Sequence, residues 1–302
     1  MGLINTLPGA IAQGTIWGIM AIGVYITYKI LDFADLTVDG SITTGAAVCA
    51  VMVTSGCNVW VSMLCAMLAG ALAGLLTGLF HTKMGIPGIL AGILTQLILW
   101  SVNLKIMGKP NISLTSRNNF LAVTQLEKTR SILTLVAFCA VVVAVLYWFF
   151  GTERGCSVRA TGCNMNMSRA QGINTNVNTI IGLMISNGLV ALAGALLAQF
   201  QGASDINMGR GAIVIGLAAV IIGDAILSKA RSRVFRNFAT RLFGVILGAV
   251  IYYIVYQVVI FMGLDTDLLK MLSAIVVAIF LAVPYWKKQY FTKPKKGDGK
   301  NA

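Results

Sequence analysis

Nine apolar runs, separated by short polar stretches, occupy most of this 302-residue chain. They fall near 8–28, 38–55, 58–80, 87–104, 131–150, 177–200, 211–228, 241–262 and 268–286. A bilayer core takes about 20 apolar residues per helical span. Unsatisfied backbone groups are too costly in lipid for such runs to be anything but helices or closed barrels. Charged residues make up only 11% of the chain, against roughly 25% in soluble proteins. The expected fold is an all-α polytopic membrane protein with eight or nine transmembrane helices, 1–286 forming one domain and 287–302 a basic tail. Two runs stand out as broken or re-entrant. The run 87–104 opens on Pro87-Gly88 and barely reaches a span, and 38–55 is interrupted by serine, threonine and glycine. No basic segment precedes the first run and no small-residue cleavage site follows it, so it is expected to be a retained span.

The net charge of +13 is distributed unevenly. Three basic residues fall in 152–176, five in 229–241 and six after 286, which is fourteen of the 23. Short basic loops beside spans face the cytoplasm. The two loops and the tail are therefore expected inside, and 105–130, 201–210 and 263–267 outside; nine full spans would put the N-terminus outside too. This placement accounts for the charge as orientation and lipid headgroup contact, with no nucleic acid involved. The six cysteines form no CxxC pair and His81 is the one histidine, so no metal site is expected. Small residues recur at helix-packing spacing in Gly70-Ala71-x-x-Gly74-x-x-x-Gly78 and Gly244-x-x-x-Gly248, which lets helices approach closely in lipid.

Two polar stretches carry candidate function. In the polar loop 155–174, Ala160, Cys163, Met167 and Ala170 are spaced to give one small apolar stripe on a short helix. Arg159 and Arg169 flank it and Gly172 is placed to end it. Such a helix suits docking into a groove of another protein; a plain intracellular connector is the alternative. The second stretch begins with Asp32, Asp35 and Asp39. Acids inside a membrane default to function, yet Asp39 is also placed to cap the second span. Gly40, Ser41, Thr43, Thr44 and Gly45 follow, with hydroxyls and small residues suited to a translocation path. Thr95, Gln96 and Asn103 offer further lining groups, or interhelical hydrogen bonds. Asp224 is placed to pair with Lys229 or Arg231.

The run Arg159-Ala160 … Arg169-Ala170-x-Gly172-Ile173-Asn174, then Gly209-Arg210-Gly211, Gly216–Gly223, Arg241–Ala249 and Ala282-Val-Pro284, resembles the permease subunits of bacterial ABC importers, the branched-chain amino acid and ribose type. In the first half, Asp32-Phe-Ala-Asp-Leu-Thr-Val-Asp-Gly40 is most similar to an offshoot of amino-acid permeases that includes tryptophan permeases. The resemblance implies an inner-membrane importer subunit, no enzyme itself and without a cofactor. It implies two cytoplasmic ATP-binding-cassette ATPase subunits docked on 159–172, an extracytoplasmic substrate-binding protein near 202–211, and a second permease copy as a homodimer. No Walker A motif occurs in the chain, in keeping with a partner that hydrolyses ATP. An ion-driven secondary transporter is the alternative. That class carries paired ionisable groups at mid-membrane depth, and the runs after 130 hold almost none. A membrane enzyme finds no histidine cluster, nucleophile elbow or paired carboxylates.

Overall fold

The structure is a computed structural model that describes residues 2–114, 122–124, 128–229 and 237–261, with residues 271, 274, 275, 278, 279 and 282 singly. The tail 287–302, most of the ninth run and most of the 229–241 loop lie outside the described residues. Ten α-helices and two short strands are described: α1 Gly2–Tyr25, α2 Val38–Thr54, α3 Val59–Thr82, α4 Gly88–Met107, β1 Asn111–Ser113, α5 Lys128–Gly151, α6 Glu153–Cys163, α7 Met165–Ala170, α8 Thr175–Gln201, β2 Ala203–Asp205, α9 Ala212–Lys229 and α10 Phe238–Phe261. Among the described residues, six segments are long and apolar enough to cross a membrane, and α2 and α9 are shorter apolar helices. The protein is a polytopic α-helical membrane protein.

Helix α8 is the centre of the bundle. Glycines on α3 meet it in reverse order along its length, Gly70 against Asn187 and Ala191, Gly74 against Leu183, and Gly78 against Ile180, so α3 and α8 run antiparallel. Close approach through small residues is how helices associate without a hydrophobic drive between them. The same device packs α1 on α10, with Gly14 against Val250 and Gly18 against Ile246, and α9 on α10, with Gly223 against Gly244. The two glycine series anticipated from sequence are interfaces in the structure.

The chain after α1 departs from regular helix. Residues Ile26–Ile30 form a π-helical turn, Asp32 takes a left-handed φ of 53°, and 32–35 has no regular secondary structure. Aspartate visits this conformation more readily than most residues. The stretch 33–40 then climbs alongside α4: Phe33 touches Gly88, Leu36 touches Gly92, and Gly40 touches Gln96 and Leu99. Helix α2 therefore starts halfway up α4. Non-helical backbone at this depth is tolerated only where protein covers it, and Asp35 is 2% exposed and Thr37 fully buried. Neither suspected break falls inside its run. The run 38–55 holds one uninterrupted 17-residue helix, too short for a full span and preceded by the irregular chain. In 87–104, Pro87 serves as the N-cap of an uninterrupted 20-residue α4 that Gly108 closes in the left-handed region.

Two further placements fix the ends of the bundle. The end of α1 sits against α6, where a side chain at Gly162 would overlap the Ile30 carbonyl. Strands β1 and β2 pair antiparallel at the opposite end, so the turns after α4 and α8 share one side. On the charge-based expectation that 152–176 is inside, both strands and the start of α1 lie on the outer side.

Candidate translocation path and coupling surface

Asp39 lies in the first turn of α2. Its carboxylate was expected to cap that helix, but the side chain reaches another one. Oδ2 accepts from the Gly211 N–H and Oδ1 from the Ile213 N–H, both at 2.9 Å, at the start of α9. A carboxylate on the free N–H groups of a helix N-terminus satisfies orphan donors and the helix dipole together. The Gly209 N–H adds a 3.2 Å bond to Thr43 Oγ1, and a Cβ on Gly209 would strike the Asp39 carbonyl. The turn before α9 is thereby fastened to the first turns of α2.

Beside this junction opens a cavity of about 250 Å³. Asp39, Gly40 and Thr43 supply one wall from α2; Gln96, Leu97, Trp100 and Asn103 supply another from α4; Ile206 and Arg210 close it from the outer turn. Four of the eight path candidates, Asp39, Gly40, Thr43 and Gln96, come together here. The other four are placed elsewhere. Gly45 packs on the backbone of Ala191, where a Cβ would collide with the carbonyl, and Gly194 packs in return on Ile42. Thr44 donates to the Gly40 carbonyl within its own helix.

Ser41 and Thr95 belong to a buried polar ladder through five segments. Thr95 on α4 donates to the Ala91 carbonyl and accepts from Thr77 on α3 at 2.9 Å. With the Thr77 proton committed, Thr37 is the donor of the 2.7 Å bond between the two. Asp35 Oδ1 accepts the Thr37 N–H at 2.9 Å, and Oδ2 accepts Asn187 Nδ2 at 2.7 Å. The Ser41 hydroxyl closes the ladder by donating to Asn187 Oδ1 at 2.6 Å. Asn187 and Thr77 were not singled out from sequence; a lone asparagine at the middle of the 177–200 run was the available signal. Asp224 pairs with Lys29 at 3.1 Å, on the π-turn after α1; Arg231 and the Lys229 side chain, its expected partners, lie outside what the structure describes.

The loop 152–176 holds two helices, not one. Asn164 breaks the chain with φ −157° and ψ 101°, and its side chain accepts from the Met167 N–H to cap α7. The continuous stripe expected from Ala160, Cys163, Met167 and Ala170 is thus split, Ala160 and Cys163 on α6 and the other two on α7. Gly172 does take the left-handed conformation just past α7, with φ 78°. Arg159, Cys163, Met167, Arg169, Ala170 and Gly172 are exposed and Ala160 half-buried. The inner face is bolted down: Asn178 on α8 donates to Ser157 at 2.8 Å and to Thr161 at 3.0 Å. Arg169 is held by its 2.9 Å bond to Thr175. An exposed methionine between two arginines, on a rigid mount against the end of α1, is a surface suited to a protein partner.

Residues 7–283 match the family described as branched-chain amino acid transport system / permease component. The tyrosine transport system permease protein of Clostridioides difficile is 42% identical over 281 residues, 93% of this chain and 90% of its own length. An uncharacterised protein of Rickettsia prowazekii is 35% identical over 280 residues, 92% of this chain and 98% of its own. The xylose transport system permease protein of Haemophilus influenzae is 33% identical over 112 residues, 36% of this chain and 28% of its own. No solved structure matches the chain significantly.

Proposed function

The chain belongs to the family of branched-chain amino acid transport system permease components, and from that premise we propose that it forms the path for an amino acid in an ATP-driven importer. It is a multi-pass inner-membrane permease of the ABC type. The proposal adds its cargo and its partners. Two ATPase subunits dock on α6–α7 and hydrolyse ATP, which the permease itself does not. An extracytoplasmic binding protein delivers the solute near the turn carrying Arg210, and a second copy of the chain completes the path. Amino acid as the cargo is supported by the relative that is named for tyrosine transport and aligns with 93% of this chain.

The observation that carries the coupling role is the mounting of α6–α7. Its outer face is exposed, while its inner face is hydrogen bonded to α8 and seated on the end of α1 at Gly162. Motion of a docked partner would pass straight into the broken segment 26–37 and from there to α2. Ala170→Glu tests the docking. The site is exposed, so the permease should still insert and purify. A charge buried without a counter-ion in the docked contact costs several kcal/mol, and about 3 kcal/mol is already more than a hundredfold in Kd. The variant should lose the co-purifying ATPase and substrate-stimulated ATP hydrolysis. Lys83→Glu, exposed on the same side at the end of α3, should lose neither. Full ATPase retention in Ala170→Glu would refute the docking role.

A further inference from the structure

Two opposite charges face the cavity between α2, α4 and the outer turn without pairing. Arg210 and Asp39 both line it, yet among the described residues the one ion pair is Lys29–Asp224. Asp39 spends one lone pair of each oxygen on a backbone N–H, and a carboxylate has about four acceptor positions, so both oxygens keep accepting capacity. Arg210 offers a guanidinium, whose fork matches a carboxylate. Trp100, which lines the same cavity, presents an indole that is 46% exposed. Further along the α4 wall, toward its outer end, the Asn103 amide is fully buried and neither its Nδ2 nor its Oδ1 has a hydrogen-bond partner. Buried amides are rarely left with both ends unsatisfied.

We propose that this cavity is a binding site for an α-amino acid with an aromatic side chain, its carboxylate on Arg210, its ammonium on Asp39 and its ring against Trp100. Asn103 supplies the amide that a polar ring substituent meets at the far end. The assignment follows from the charge pattern. A neutral sugar calls for a set of uncharged donors and acceptors and gains nothing from a cation and an anion in one cavity. A zwitterion neutralises both at once. The volume of about 250 Å³ lies just below the roughly 300–1,000 Å³ usual for ligand sites, which suits a ligand the size of one amino acid. An unpaired indole adds stacking to aromatic rings and cation–π attraction to the ammonium. The inference rests on the importer reading for its place in transport, and on the cavity alone for its chemistry.

The test is direct binding to the purified full-length permease in lipid nanodiscs, with neither the ATPase nor a binding protein added. The probes are L-tyrosine, L-alanine, tyramine, 3-(4-hydroxyphenyl)propanoate and D-xylose. L-Tyrosine should bind at least tenfold more tightly than tyramine, which lacks the carboxylate, and than the propanoate, which lacks the ammonium. Arg210→Gln should bring L-tyrosine and tyramine within about twofold of each other, because the carboxylate has lost its partner. Trp100→Ala should shrink the preference for L-tyrosine over L-alanine by about tenfold, the equivalent of about 1.4 kcal/mol. Both side chains are exposed, so neither change threatens the fold. Equal binding of L-tyrosine and D-xylose, or a tyrosine-to-tyramine ratio unmoved by Arg210→Gln, overturns the assignment. If the ATPase complex assembles and the permease binds no probe, this assignment falls and the importer reading stands. If L-tyrosine binds as expected and no ATPase associates, the reverse holds.

Discussion

Replacing Asn187 with leucine takes the centre out of the buried ladder while keeping the branched heavy-atom skeleton of the side chain. The two bonds to other segments are lost at once, along with the longer 3.1 Å bond to the Leu183 carbonyl of its own helix. The 2.7 Å bond from Nδ2 to the Asp35 carboxylate is of the charged kind, worth about 1.5–3 kcal/mol, and the 2.6 Å bond from Ser41 about 0.5–1.5 kcal/mol. Water cannot replace them, since Asp35 is 2% exposed and Ser41 fully buried. The expected loss is about 2–4.5 kcal/mol, on the order of 5–15 °C in melting temperature for a chain of this size. Asp35→Asn should be much milder. Its amide can keep the Thr37 N–H on its oxygen and present its NH2 to residue 187, whose own amide then turns over to accept it. That rearrangement gives up only the longer 3.1 Å bond to the Leu183 carbonyl and the charge assistance, about 1 kcal/mol. The assay is thermal unfolding of the three proteins in one detergent, read by size-exclusion chromatography of the surviving fraction. Asn187→Leu melting with the native protein, or Asp35→Asn proving as damaging as Asn187→Leu, would refute the hydrogen-bond account of this region.

Gly45→Val should cost more than the 1–3 kcal/mol usual for overpacking, because its Cβ would lie on the Ala191 carbonyl, at the crossing that Gly194 and Ile42 reinforce. Loss of monodisperse protein, not blocked transport through an intact fold, is the expected result, and an intact, transport-dead Gly45→Val would return Gly45 to the path. Asn103→Leu should raise the melting temperature, since it removes an orphaned amide worth about 1–3 kcal/mol, while weakening L-tyrosine binding; a lower melting temperature with unchanged binding would show that the amide is structural.

The helices were legible in the sequence because each apolar run must solve the same backbone problem in lipid. What was not legible are the partners of the polar residues within them. Asp39 looked like the cap of its own helix, a local pattern, and instead caps α9, brought to it by the folding of the bundle. Lys29 lies far from Asp224 in sequence and meets it only through the α1–α9 packing. Spacing arguments presume an unbroken helix, and at Asn164 the local capping bond to Met167 wins over the continuous stripe. In the cavity, Gln96 was picked out by its polarity, whereas Trp100 and Arg210 needed α4 and the outer turn to be placed side by side. Asn187 could have been flagged: a polar side chain in the middle of an apolar span needs a partner, even when the sequence does not say which.

The distance along the chain between Asp39 and its partners has a consequence for how the protein is made. The N–H groups that satisfy its carboxylate lie 172 and 174 residues downstream, and Asn187 lies 152 residues after Asp35. At translation rates of about 5–20 residues per second, the nascent chain waits roughly 10–30 s before these partners exist. During that interval two carboxylates and a stretch of open backbone stand in or near the bilayer with nothing to meet them. The first three helices therefore behave as a dependent fragment, held by the insertion machinery or turned back toward water until α8 and α9 emerge. Synthesis interrupted between the two halves leaves a fragment with exposed polar groups, suited to recognition by membrane quality control.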